Sequence, residues 1–182
     1  NGFLMRHGFT IVWSGWDGEL LPGNHRLRLW PPMAGSKENP ITGMVRCEIV
    51  PKSDVTRTVV NWDNHGSYRP TEKGIETATL SHRLLHGHPR VLVPRDKWRL
   101  HVGEVESDFP HQLPKVELEL PGGLQKAHIY ELIYEARDPL VMGTGFSSVR
   151  DLISSLKHGT GKANPLLHHG KPIIERAHGF GI

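Results

Sequence analysis

The last six residues, Ala177-His178-Gly179-Phe180-Gly181-Ile182, decide how this chain is read. They read as a strand, and Gly179-Phe180-Gly181-Ile182 has the form of a strand entering a tight turn beyond Ile182. A loop, residues 161–172, comes before them. Before that loop lies the strongest helical signal in the chain. Over residues 146–158, Val149, Leu152, Ile153 and Leu156 recur at i, i+3, i+4 and i+7, one apolar face of a helix. Ser148, with Asp151 three residues on, has the capping-box form. Gly159 stops the helix, and Lys157 and His158 occupy its last turn. Upstream, residues 129–135 read as a strand ended by Asp138-Pro139. Strand, helix, strand is the order of a crossover unit, so this end of the chain predicts an α/β arrangement.

The other end predicts a matching piece. Residues 9–13, Phe9-Thr10-Ile11-Val12-Trp13, are β-branched and aromatic and run into Ser14-Gly15, as a buried strand ending in a turn does. A second strand is expected over residues 25–30, stopped by Pro31-Pro32. Between the two ends the pattern changes. Residues 41–50, 77–84, 91–93, 98–102 and 116–120 alternate or run apolar over short stretches, with Pro and Gly between them. A further short strand fits residues 57–61. This predicts antiparallel β structure with long loops over residues 25–127. The expected organisation is a core piece at 1–35, a β-rich insertion at 36–126 and a second core piece at 127–182.

Composition narrows the function classes. Lys and Arg total 22 against 19 Asp and Glu, and the charges are interspersed, so the net +3 does not form the clustered cationic face that nucleic acid requires. No stretch approaches the ~18 apolar residues of a membrane-spanning helix. The single cysteine, Cys47, rules out an intrachain disulfide and sits in an apolar/polar alternation, where a buried strand position is expected. Asn1-Gly2-Phe3-Leu4 carries no signal-peptide pattern and no initiator Met, so the true start of the protein is expected to lie upstream.

Several residues invite a chemical reading. Ser14 follows a strand pattern, but Val12 and Trp16 stand where a G-x-S-x-G turn needs small residues, so a turn serine is expected. Ser147, in Gly145-Phe146-Ser147-Ser148-Val149, reads as helix capping. Thirteen histidines include the close pairs His86/His88 and His168/His169. Neither pair has a zinc spacing and both lie in Gly- and Pro-rich loops, so no metal is expected. Gly143-Thr144-Gly145 lacks the rest of a dinucleotide fingerprint, and no cofactor is expected. Trp13 and Trp16, at the end of an expected central strand, are the candidate substrate-binding residues, because two indoles there would wall an apolar pocket.

Four segments carry a resemblance. They are residues 8–18 (GFTIVWSGWDG), residues 41–46 (ITGMVR), residues 130–139 (YELIYEARDP) and residues 143–152 (GTGFSSVRDL). In this order the chain resembles the bacterial "alpha/beta hydrolase domain" proteins over nearly its whole length. The resemblance implies part of an α/β-hydrolase sheet with a β-rich insertion. It implies a nucleophilic serine immediately after Ile182, and an acid and a histidine later still, so no catalytic residue is assigned within the chain. The implied activity is carboxylesterase-like attack on a small-molecule ester, with backbone N–H groups holding the oxyanion. The alternative is a non-enzymatic β-rich binding module that folds alone.

Overall fold

The computed structural model describes residues 2–23, 25–36, 38–61, 64–107 and 111–180. Its strands are β1 (Thr42–Ile49), β2 (Val55–Val59), β3 (Arg69–Pro70), β4 (Thr79–Arg83), β5 (Val91–Val93), β6 (Arg99–Gly103), β7 (Lys115–Leu124), β8 (Ile129–Arg137), β9 (Leu167–His168) and β10 (Lys171–Pro172). The α-helices are α1 (Gly2–Arg6), α2 (Glu72–Thr77) and α3 (Thr144–His158). The chain divides into two compact units: Asn1–Asp17 with Leu27–Leu29 and Met142–Ile182, and Gly18–Arg26 with Trp30–Val141.

The larger unit is a β-sandwich. A five-stranded sheet runs β1-β8-β4-β5, with β3 also on β8, and a three-stranded sheet runs β2-β7-β6. Period-two patterning explains both. In β7, Val116, Leu118, Leu120 and Leu124 turn inward, while in β8 Tyr130, Leu132, Tyr134 and Ala136 do the same. These two inner faces share one core with Ile49, Leu80, Val60 and Trp98. Pro121-Gly122-Gly123 does not close β7 as a turn would. The strand continues to Leu124 through a register shift against β2, with Gly123 at φ +93°.

The α/β expectation is overturned. Every strand pairing between named strands is antiparallel, and the described helices have only 5, 6 and 15 residues. Residues 129–137 do form a strand, but its neighbours are β1, β3 and β4 of the antiparallel sheet. The residues read as hydrolase-sheet strands at 9–13, 25–30 and 177–180 lie in no strand, and Gly181 and Ile182 fall outside the described residues. A strand is a pairing rather than a local state. Hydrophobic and β-branched residues make no ladder where no neighbouring strand accepts their backbone hydrogen bonds.

In the smaller unit, α3 begins earlier than its capping signals imply. Gly143 is the N-cap and makes no side-chain cap. Ser148 therefore lies in the second turn, and its hydroxyl donates back to the Thr144 carbonyl (2.9 Å). The other end is held by Asn164. Its amide donates to the carbonyls of Ser155, Leu156 and Gly159 at 3.2, 3.1 and 2.8 Å, satisfying groups a helix end leaves open. Gly145 packs so closely that a Cβ there would sit 2.9 Å from the Trp16 carbonyl oxygen. The expected loop 161–172 contains the β9–β10 hairpin. Its two turn residues, His169 and Gly170, both have positive φ, the requirement of a tight hairpin turn whose twist matches its strands.

Candidate functional site

Two polar constellations stand out, both in the sandwich unit. The first is a cleft of about 290 Å³ beside β1. Its wall is built by loops pinned to each other. Leu20 bridges to His65, the Gly66 N–H donates to the Glu19 carbonyl (2.8 Å), and Asn61 donates to the Gly66 carbonyl (2.9 Å). Gly66 is required there, because a Cβ would meet that of Leu113 at 2.5 Å. The Tyr68 hydroxyl donates to Glu19 Oε1 (2.8 Å), and the Tyr134 hydroxyl donates to the Tyr68 carbonyl (2.9 Å). Burial, with the Glu19 charge as a second cause, pushes the Cys47 thiol up to about 11. It is therefore a protonated, weakly polar group at neutral pH and not a nucleophile. Burial likewise raises the Tyr134 hydroxyl above its ordinary value. Its described lining includes the carboxylates of Glu19 and Glu48, the Arg46 guanidinium, the Tyr68 phenol and the Asn61 amide, which suits hydrogen bonding to a small polar ligand. Among the described residues no histidine lines it.

The second constellation is a carboxylate clamped by arginines on the outer face of the five-stranded sheet. Register sets it up: Glu131 of β8 faces Glu48 of β1 on one side and Ser81 of β4 on the other. Arg46 Nε donates to Glu131 Oε2 at 2.7 Å, Arg90 Nε lies 2.9 Å from Oε1, and Arg83 donates to Glu48 at 3.1 Å. The side chains of Glu131 and Arg83 are only 7% and 4% exposed, and Arg83 Nε is buried without a hydrogen-bond partner. The Arg90 hydrogen bond, followed by that from Arg46, holds the Glu131 carboxyl below its ordinary value of 4.5. Nothing local in the sequence announces this cluster, because Arg46 and Glu131 are 85 residues apart.

Glu131→Gln is expected to cost about 1–3 kcal/mol, because it removes the charge 3.9 Å from the buried Arg83 and leaves that guanidinium only the Glu48 carboxylate. Arg46 and Arg90 are half exposed and add little to that. The sign of the pH effect follows from the lowered carboxyl. Its stabilising contribution is fully present above the unfolded value near 4.5 and is lost as pH falls through the lower folded value. Thermal denaturation between pH 7 and pH 3 should show a fall in stability below about pH 4.5 that is shallower in Glu131→Gln.

The residues singled out from sequence are scattered. Trp13 and Trp16 are both in the smaller unit, 63% and 56% exposed, so most of each ring faces solvent. Ser14 is exposed and its hydroxyl reaches only its neighbour's carbonyl, Gly15 O, at 3.4 Å. Ser147 lies within α3. His86 stands 3.3 Å from an Arg83 nitrogen, and the His168 and His169 rings lie 4.1 Å apart at the β9–β10 turn. Among the described residues no three His, Cys, Asp or Glu side chains gather as a metal site would, and no helix is long and apolar enough to cross a membrane. Comparison of the chain with protein-family models, curated proteins and solved structures gave no match.

Proposed function

We propose that this chain is part of a serine-dependent hydrolase of small-molecule esters whose nucleophile is supplied by residues following Ile182. The sequence resemblance supports it, with four segments in family order. The observation that carries it is the exposed apolar surface of the smaller unit. Segments 41–46 and 130–139 lie in the sandwich unit, where Leu132 and Tyr134 are wholly buried and Ile41 and Met44 are exposed. Segments 8–18 and 143–152 lie in the other, where Phe9, Val12, Trp13, Trp16 and Phe146 are all at least half exposed. Apolar surface of this kind is costly in water and calls for cover from further protein. The reading does not use the α/β sheet set aside above. It needs only that further chain covers these side chains and brings the serine.

A fluorophosphonate probe tests it. The 182-residue chain is expected to stay unlabelled, and the protein extended past Ile182 is expected to be labelled on one serine beyond that residue. Labelling of Ser14 or Ser147 in the short chain would contradict the reading, as would an extended protein that reacts nowhere.

The self-contained sandwich core favours one second reading, a binding module that uses the Glu19–Tyr68–Cys47 cleft for a small polar ligand. That reading gains if the extended protein is unreactive while Glu19→Gln abolishes binding of a ligand found by thermal-shift screening.

A further inference from the structure

β1 ends its sheet. It pairs with β8 along all eight residues, and among the described residues no strand pairs with its other side. Such an edge presents free N–H and C=O groups, and proteins usually blunt it with proline, a bulge or repelling charge. β1 has no proline, and its register with β8 is unbroken. Its outward side chains carry opposite charges, Arg46 and Glu48, flanked by Met44 and Val50, which are 68% and 56% exposed.

We propose that β1 pairs antiparallel with β1 of a second copy of this chain, about a two-fold axis passing through Cys47. In that register Arg46 lies opposite Glu48 of the second copy, and Glu48 opposite its Arg46. Met44 meets Val50 of the second copy, twice over. The alternatives are worse. An axis through Arg46 or through Glu48 sets like charges face to face, and an axis through Val45 sets Arg46 against Met44 and Glu48 against Thr42. Of these registers, the Cys47 one alone sets each of Met44, Arg46, Glu48 and Val50 against a complementary side chain, as a self-matching interface requires. Within one chain Arg46 already lies 3.3 Å from Glu48, so pairing extends an existing charge row across the axis rather than desolvating isolated charges. The two five-stranded sheets become one continuous sheet. This inference does not rest on the hydrolase reading.

Sedimentation equilibrium of the 182-residue chain over a concentration series tests it, with a limiting mass of twice 20.5 kDa expected. M44E/V50E sets carboxylates opposite one another across the axis and should weaken the dimer about tenfold or more. M44K/V50E restores opposite charges at the same positions and should recover it. Both double variants place two charges on the same exposed positions, so a folding defect would appear in both. A mass of 20.5 kDa at every concentration overturns the proposal, as does a dimer indifferent to M44E/V50E or one lost equally in both variants.

Discussion

Replacing Trp98 with alanine is expected to destabilise the sandwich by about 3–5 kcal/mol, the range for removing a large buried aromatic and leaving a cavity. Trp98 is the largest of the fully buried side chains and belongs to the core shared by the two sheets. Its environment cannot collapse easily. The Arg95 guanidinium lies 4.2 Å from the ring centroid, and Arg95 also donates to the carbonyls of Trp98 and Ile75, both at 2.8 Å. Losing the indole removes the surface that orders this arginine as well as the packing beneath it. The indole N–H is buried without an acceptor, so part of what tryptophan contributes is offset by an unmade hydrogen bond. Trp98→Phe, which keeps a ring and discards that N–H, should therefore cost distinctly less than Trp98→Ala. Urea unfolding of the three proteins followed by circular dichroism checks the order. Equal losses for Phe and Ala would show that ring volume is not what the site uses.

The second large effect is expected at Gly74→Ala, about 3 kcal/mol or more, although glycine in a helix is ordinarily replaced by alanine with a gain. The reason is contact with β8. α2 fills the gap between β3 and β4 along β8, and a Cβ at Gly74 would stand 2.0 Å from the Glu135 carbonyl oxygen and 2.9 Å from Thr71 Oγ1. Neither neighbour can yield cheaply. Glu135 O accepts from the Thr71 N–H (3.0 Å), Thr71 Oγ1 donates to Glu135 Oε1 (2.8 Å), and the Gly74 N–H donates to that same hydroxyl (2.8 Å). Relieving the clash means lifting α2 off the strand and breaking its N-terminal cap. Thermal unfolding should show a lowered midpoint. A midpoint at or above that of the parent protein would mean that helix propensity outweighs the contact.

Much of the sandwich was legible beforehand because its cause is local. Val116, Leu118 and Leu120 alternate with Glu117 and Glu119, and a period of two has one meaning wherever a core is available on one side. Residues 41–50 alternate more loosely, and 129–135 read as a strand without a period of two, yet these stretches contain most of β1 and β8. Helix α3 is legible for the same kind of reason, but it starts ahead of its capping signal, because Ser148 serves the Thr144 carbonyl and caps nothing. α2 was missed. Residues 72–77 show no apolar periodicity, and the helix rests on Thr71 and on the contact of Gly74 with β8.

The candidate site was hardly legible at all. The Tyr68–Glu19 contact joins residues 49 apart, and Arg46–Glu131 joins residues 85 apart. In sequence each looks like an ordinary solvated polar residue. Trp13 and Trp16, the candidate substrate-binding residues, are exposed.

By itself, then, the order of residues determined which short stretches extend, which one coils and where turns interrupt them, since side-chain periodicity and capping act within a few residues. Whether an extended stretch joins a sheet was decided only by tertiary structure. Residues 41–50 found β8 and became a strand, whereas 9–13 and 177–180 found no ladder partner among the described residues and did not. Backbone hydrogen bonds in a helix close on themselves, while those of a strand must be met by another segment, and that partner is chosen by the whole fold.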